Sequence, residues 1–254
     1  MTALLQAEGV TKTFGGYTAL SDVSCEVEPG SVHAFIGPNG AGKTTLFNIV
    51  SGVLRPTTGR LFYQGQDYTG SRADQVLAMG VARNFQQVRL FHGLSVVENV
   101  MVGCHARMGG LLRDALNLVS PKPATELAAR ERALEMLALV GMSDRVRGAP
   151  AALTLVDQRR LEIARALASA PRVLLLDEPA AGMNPSDVNE LVALVRSIKT
   201  LGITILLVEH HMRFVMTIAD TITVLSAGRV IARGPPAAIQ RDENVIAAYL
   251  GVAQ

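Results

Sequence analysis

The chain has 254 residues, with 24 basic and 22 acidic side chains and a formal net charge of +2. That length buries a real core in one large α/β domain or two small ones, and 49% hydrophobic against 18% charged residues excludes a disordered chain or a coiled coil. No long run of like charges is present, which argues against a basic nucleic-acid tract. The longest unbroken apolar stretch, Val245–Leu250, falls far short of the about 20 residues a membrane span needs. Met1–Gln6 has neither a charged nor an apolar region, which predicts no secretory signal. Two cysteines, Cys25 and Cys104, cannot build a disulfide framework, and Cys25 alternates with Val23 and Val27 as on an apolar strand face. These features predict a reducing, soluble compartment, with any membrane role exercised through a partner.

In chain order, Val32–Ile36 reads as a buried strand ending at Gly37, and Thr44–Val50 as the helix that follows. Between them Gly37-Pro38-Asn39-Gly40-Ala41-Gly42-Lys43-Thr44 fits G-x-x-x-x-G-K-[ST] in full, in the strand–loop–helix context the motif needs. Glycines let such a loop curl and aim its N–H groups at phosphate oxygens, and the helix start adds positive partial charge. Lys43 supplies a full cation, Thr44 a hydroxyl for Mg²⁺, and Thr45 joins the same binding set.

From Gln75 to Thr200 the pattern is mostly helical, interrupted by one strand. That strand, Val173–Leu176, runs into Asp177-Glu178-Pro179, where Asp177 suits a metal carboxylate and Glu178 the group that orients or deprotonates water. Asn184-Pro185 starts a helix whose Val188, Leu191, Val192, Val195 and Ile198 form an apolar stripe. Ile203–Val208 is a further buried strand, and Ser226-Ala227-Gly228 joins two more as a hairpin. Alternating strands and helices predict an α/β fold with a mostly parallel sheet. We expect residues 1–90 and 159–254 to form its core and 91–158 a helical insertion, rich in helix over Ala124–Val140.

Together these segments resemble the ATP-binding subunit of ABC transporters over nearly the whole chain. The resemblance implies a RecA-like P-loop core with an antiparallel β part and a helical subdomain. It further implies that Phe14, in Lys12-Thr13-Phe14-Gly15-Gly16, stacks on adenine. Phe85-Gln86 looks like the Q-loop, whose glutamine reaches Mg²⁺ and the water and whose surroundings, Val88 to Phe91, receive the membrane subunit. Val208-Glu209-His210 looks like the switch-histidine segment, with His210 near the γ-phosphate, and Ala180–Pro185 occupies the D-loop position. Adjacent histidines point to opposite faces, so His210 and His211 make a poor metal chelate.

Finer features, Gln158–Leu167, Asp177–Pro185 and the tail Ala247–Gly251, look like the Liv type of importer. That implies an ATP- and Mg²⁺-dependent ATPase, peripheral on the cytoplasmic face of the membrane, for branched-chain amino acids or related small solutes. Its implied partners are a second ATPase subunit, in a heterodimer or alternatively a homodimer, permease subunits, and indirectly a solute-binding protein, with no nucleic acid. One departure stands out. The family signature Leu-Ser-Gly-Gly-Gln is here Leu153-Thr154-Leu155-Val156-Asp157, which also reads as a capping box opening the next helix. The departure motivates an alternative reading, an ATP-driven dimerisation module with little hydrolysis. The ATPase of a lipid or lipopolysaccharide exporter is a further alternative within the family.

Overall fold

The computed structural model describes residues 3–84, 89–105 and 123–250. The chain divides into two compact units, residues 1–76 with 175–254, and residues 77–174.

In the first unit an antiparallel sheet is built from β1 (Leu5–Phe14), β2 (Tyr17–Val27), β4 (Thr58–Tyr63) and β5 (Gln66–Asp67), in the order β2-β1-β4-β5. Cys25 alternates with Val23 and Val27 on its buried face, and burial pushes the Cys25 thiol up to about 11, so it stays protonated. A second sheet carries β3 (Val32–Ile36) beside β8 (Thr204–Val208) and β9 (Thr221–Ser226), with β3 parallel to both. β7 (Val173–Asp177), which begins in the second unit and ends in the first, lies next to β8, and β10 (Arg229–Gly234) runs antiparallel to β9. The β9–β10 turn places Ala227 and Gly228 at φ 45° and 76°, the two positive dihedrals of a tight hairpin whose twist matches its strands.

Every residue of β3, β7 and β8 is buried, as continuous apolar runs in a parallel sheet must be. α1 (Lys43–Val50) buries Leu46, Phe47, Ile49 and Val50, with the Phe47 ring edge-on to Phe35 at 6.0 Å. α2 (Ala73–Ala78) follows, burying Val76.

In the second unit, β6 (Val81–Arg83) adds a strand that the helical reading of this region had not anticipated. Three residues are too few to show a strand period. α3 (Val96–His105), α4 (Pro123–Leu139) and α5 (Leu155–Ala168) supply the rest, and Gly103 lets α3 approach α5 closely, because a Cβ there would lie 2.0 Å from the Arg165 carbonyl oxygen.

Back in the first unit, α6 (Pro185–Thr200) starts with a complete capping box between Asn184 and Asp187 and buries Val188, Leu191, Leu194, Val195 and Ile198. Leu194 takes the place on the stripe that the sequence pattern gave to Val192, which is only half-buried. α7 (Met212–Ile218), α8 (Pro236–Ile239) and α9 (Glu243–Leu250) complete this unit.

Candidate active site

In the first unit three loops, leaving β3, β7 and β8, carry the predicted chemistry. The β3–α1 loop depends on glycine at two points. Gly37 sits at φ 149°, and a Cβ there would be 2.0 Å from the Leu225 carbonyl oxygen. Gly42, the residue before α1, is left-handed at φ 100°, and its Cβ would be 2.7 Å from the Ala19 oxygen. Asn39, Gly40 and Thr44 are exposed, Pro38 and Thr45 half-buried, and Ala41 buried. No acidic residue occupies the first turn of α1, so its positive end is uncompensated.

Lys43 is almost buried beneath this loop. Its Nζ donates to the carbonyls of Gly37 at 2.6 Å and Pro38 at 2.9 Å, and an ammonium has a third proton to give. Burial holds its pKa below the usual lysine value, while the charges of Glu178 and then Asp177 oppose that shift. Both carboxylates therefore act electrostatically on the same ammonium. Lys43, far in sequence from the adjacent Asp177 and Glu178, feels the charge of both.

Asp177 is buried at the end of β7. Glu178 follows at φ 49°, a left-handed conformation that costs a non-glycine residue about 1 kcal/mol. Two backbone bonds hold it there: its N–H donates to the Val208 carbonyl at 2.9 Å, and its carbonyl accepts from Ala181 at 3.1 Å. The turn aims the Glu178 carboxylate at His210, whose Nδ1 lies 3.9 Å from Oε2. His210 is mostly exposed and Glu178 mostly covered, as suits a group that meets a ligand beside one that must be kept from bulk water.

Phe14 ends β1 and is 44% exposed, a free aromatic surface rather than a core residue, with Lys12 Nζ 4.9 Å from its ring centre. Phe85 and Gln86, assigned to the Q-loop, lie outside the described residues. Among the described residues no group of three or more His, Cys, Asp or Glu side chains could hold a metal alone. The donor set of Thr44 hydroxyl and Asp177 carboxylate is nevertheless hard oxygen, and Mg²⁺ is commonly held by one or two such ligands plus substrate phosphates. These residues fit that ion.

The altered signature opens α5, in the second unit. Thr154 is its N-cap, accepting the Asp157 N–H at 3.2 Å, which is the N-cap half of the expected capping box; the Asp157 carboxylate takes the Thr154 hydroxyl in place of its backbone N–H. The hydroxyl donates to Asp157 Oδ2 at 2.8 Å. Arg145 binds the same oxygen, and Arg160 stands 3.8 Å from the other. Leu155 projects outward, 46% exposed.

Sequence reasoning gave no role to two residues of the first unit. Glu209 is fully buried and accepts three backbone N–H groups. Tyr249, on α9, is partly exposed, and partial desolvation raises its phenol above the usual value. Neither feature has a local sequence signal.

Residues 20–181 match the family described as ABC transporter, and residues 229–254 match one described as branched-chain amino acid ATP-binding cassette transporter. The chain is 41% identical over 252 residues to the high-affinity branched-chain amino acid transport ATP-binding protein LivG of Escherichia coli K12, covering 98% of each. It is 39% identical over 251 residues to the corresponding protein BraF of Pseudomonas aeruginosa, again over 98% of each. Among solved structures, a nucleotide-free ATP-binding cassette from an ABC transporter superposes with a TM-score of 0.86 at 28% identity, over 98% of this chain and 99% of that one. An ATP-binding cassette in its ADP conformation gives 0.87 at 30% identity, over 99% and 100%. A P-loop built on β3, an acid pair closing β7 and a full-length likeness of this extent lead to one conclusion: the chain belongs to the ABC transporter family, among its ATP-binding subunits.

Proposed function

We propose that this ATPase subunit energises an importer of branched-chain amino acids or closely related small solutes. The hydrolytic part is supported by the 3.9 Å separation of His210 and Glu178 and by the charges of Glu178 and Asp177 acting on the Lys43 ammonium. The solute class is supported by the likeness to LivG and BraF and by the C-terminal match over residues 229–254.

In the proposed mechanism Phe14 stacks the adenine base. The loop N–H groups of Asn39, Gly40 and Gly42 to Thr45, together with the Lys43 ammonium, hold the phosphates of ATP, with Gly37, Pro38 and Ala41 shaping the loop. Thr44 and Asp177 hold Mg²⁺, which when bound neutralises charge on the phosphate oxygens. Glu178 accepts a proton from the attacking water or orients it, and His210 stands beside the terminal phosphate. The subunit sits peripherally at the cytoplasmic membrane face, where permease subunits dock on the segment containing Leu90 and Phe91. Phe91 is half exposed, and its backbone is pinned on both sides by Asn99, which supports a presented surface rather than a core role. Among the described residues no helix is long and apolar enough to cross a membrane, so that contact needs a partner.

A second feature of the reading concerns pairing. In a head-to-tail dimer each nucleotide would lie between one chain's P-loop and the other's signature. Here the Thr154 hydroxyl is committed to Asp157, whose carboxylate is itself paired with Arg145 and faced by Arg160, and exposed Leu155 carries a branched side chain where the family signature has glycine. We propose a heterodimer in which this chain's P-loop, completed by an intact partner signature, carries most turnover. The experiment that tests the solute assignment is co-purification with the permease and solute-binding protein, followed by titration of the latter. Micromolar or tighter binding of leucine, isoleucine or valine supports it, and selective binding of a sugar or lipid overturns it.

A further inference from the structure

Glu209 precedes the switch histidine, and its side chain is fully buried among backbone amides, with Oε2 3.9 Å from His210 Nδ1, as far as Glu178 Oε2 is. One carboxylate oxygen accepts the Ala180 N–H at 2.8 Å. The other accepts the N–H of His210 at 2.8 Å and of His211 at 2.9 Å. The preceding residue adds a fourth link, since the Val208 carbonyl accepts the Glu178 N–H at 2.9 Å. Residues 208 and 209 therefore grip the loop after β7 at Glu178 and at Ala180, while Glu209 also fixes the turn that presents His210. His211 carries the restraint onward, its Nδ1 accepting the Phe214 N–H in the first turn of α7.

The chemistry explains why a carboxylate stands there. An ionised carboxylate only accepts, so three inward-pointing N–H donors match it, and each bond to a charged acceptor is stronger than a neutral one. An amide of the same shape turns its NH₂ group toward at least one of those donors. An apolar residue leaves all three N–H groups buried and unpaired.

We propose that Glu209 is a positioning residue for hydrolysis: it holds the Glu178 loop and the His210 turn in one fixed register, and so sets their 3.9 Å approach. The proposal rests on the reading of Glu178 and His210 as the hydrolytic pair. It gives Glu209 no contact with nucleotide and no part in binding it, because both carboxylate oxygens are taken by the N–H groups of Ala180, His210 and His211 and neither bonds the Lys43 loop.

The test uses the full chain assembled with its transporter partners. For Glu209→Gln, kcat falls about tenfold or more while the KM for ATP stays within about twofold, since a displacement of an ångström at a reacting group can cost about a hundredfold. Backbone amide exchange at Ala180, His210 and His211 accelerates in the same variant. Glu178→Gln and His210→Ala run as controls. Loss of activity in the controls with an unchanged kcat in Glu209→Gln overturns the positioning role alone. Full activity in both controls overturns the hydrolytic reading and this inference with it. Equal changes in kcat and in nucleotide binding by Glu209→Gln show a general structural role and also overturn it. Glu209→Ala is the harsher variant; if it fails to fold, Glu209→Gln still decides.

Discussion

At the scale of single residues, the site works through side chains whose conformations are imposed on them. Glu178 accepts a left-handed backbone because Val208 and Ala181 hold both of its peptide groups, and the turn directs its carboxylate toward His210. Replacing it as Glu178→Gln keeps size and backbone preference and removes the proposed base. We expect steady-state ATP hydrolysis at this chain's P-loop to fall about a hundredfold or more, with equilibrium binding of a fluorescent ATP analogue retained. Lys43 behaves differently. Its ammonium both ties the loop through the Gly37 and Pro38 carbonyls and supplies charge, so Lys43→Ala should weaken nucleotide binding itself, and titration with the same analogue reads the difference. The P-loop and the acid pair were legible in the sequence because the chemistry demands contiguous residues at fixed spacing. Glu209 and the Asp157–Arg145 pair were not, because a carboxylate that meets backbone amides or a distant arginine leaves no periodic trace.

At the scale of elements, β3 carries a testable electrostatic signature. His33 is buried on it, hydrogen-bonded to Thr223 at 2.8 Å and stacked on Phe35. Burial, aided by the Arg233 charge, pushes its pKa down to about 3, whereas an unfolded histidine titrates near about 6.5. Between those values the unfolded chain binds a proton that the folded chain refuses. The stability contributed above pH about 6.5 is therefore lost as pH falls toward about 3, by about 1.4 kcal/mol per pH unit from this group. Urea unfolding of His33→Gln between pH 7 and pH 4 should show a slope shallower by about one proton than the wild type; parallel curves would contradict a neutral His33. The segment before α3 makes a different prediction. Phe91→Glu should leave the isolated subunit folded, with an unchanged thermal midpoint, yet abolish co-purification with the permease or uncouple hydrolysis from uptake. Unfolding of the isolated subunit would instead assign Phe91 to the core. The elements of the parallel sheet and its helices were mostly readable, whereas β1, β4 and β5 of the antiparallel sheet were not read from the residues and entered only as what the family resemblance implied. β3 emerges with the predicted bounds, α1 within a residue, and the α6 cap at Asn184 as Pro185 dictated, because buried runs and caps are local signals. β6 escaped because its pairing is decided by distant neighbours and not by its three residues.

At the scale of the whole molecule, the family and its α/β architecture follow from the order of motifs along the chain, while the proposed pairing of two unlike chains rests on a few atoms at the start of α5. The sequence showed that both signature glycines were missing. The capping box already paired Thr154 with Asp157; what the sequence did not disclose is that Arg145 also binds the Asp157 carboxylate. Reopening the motif with Leu155→Gly, Val156→Gly and Asp157→Gln together should raise the ATPase rate of the isolated subunit, at the expense of helix stability of about 1 kcal/mol for each glycine. The most direct test of the account compares the two nucleotide sites in the assembled transporter. Lys43 of this chain and the P-loop lysine of its partner are each changed to alanine, and ATP hydrolysis and solute uptake are measured side by side. We predict that loss of Lys43 removes nearly all turnover and uptake, whereas loss of the partner's lysine leaves most of both. Equal losses from the two substitutions would contradict the account.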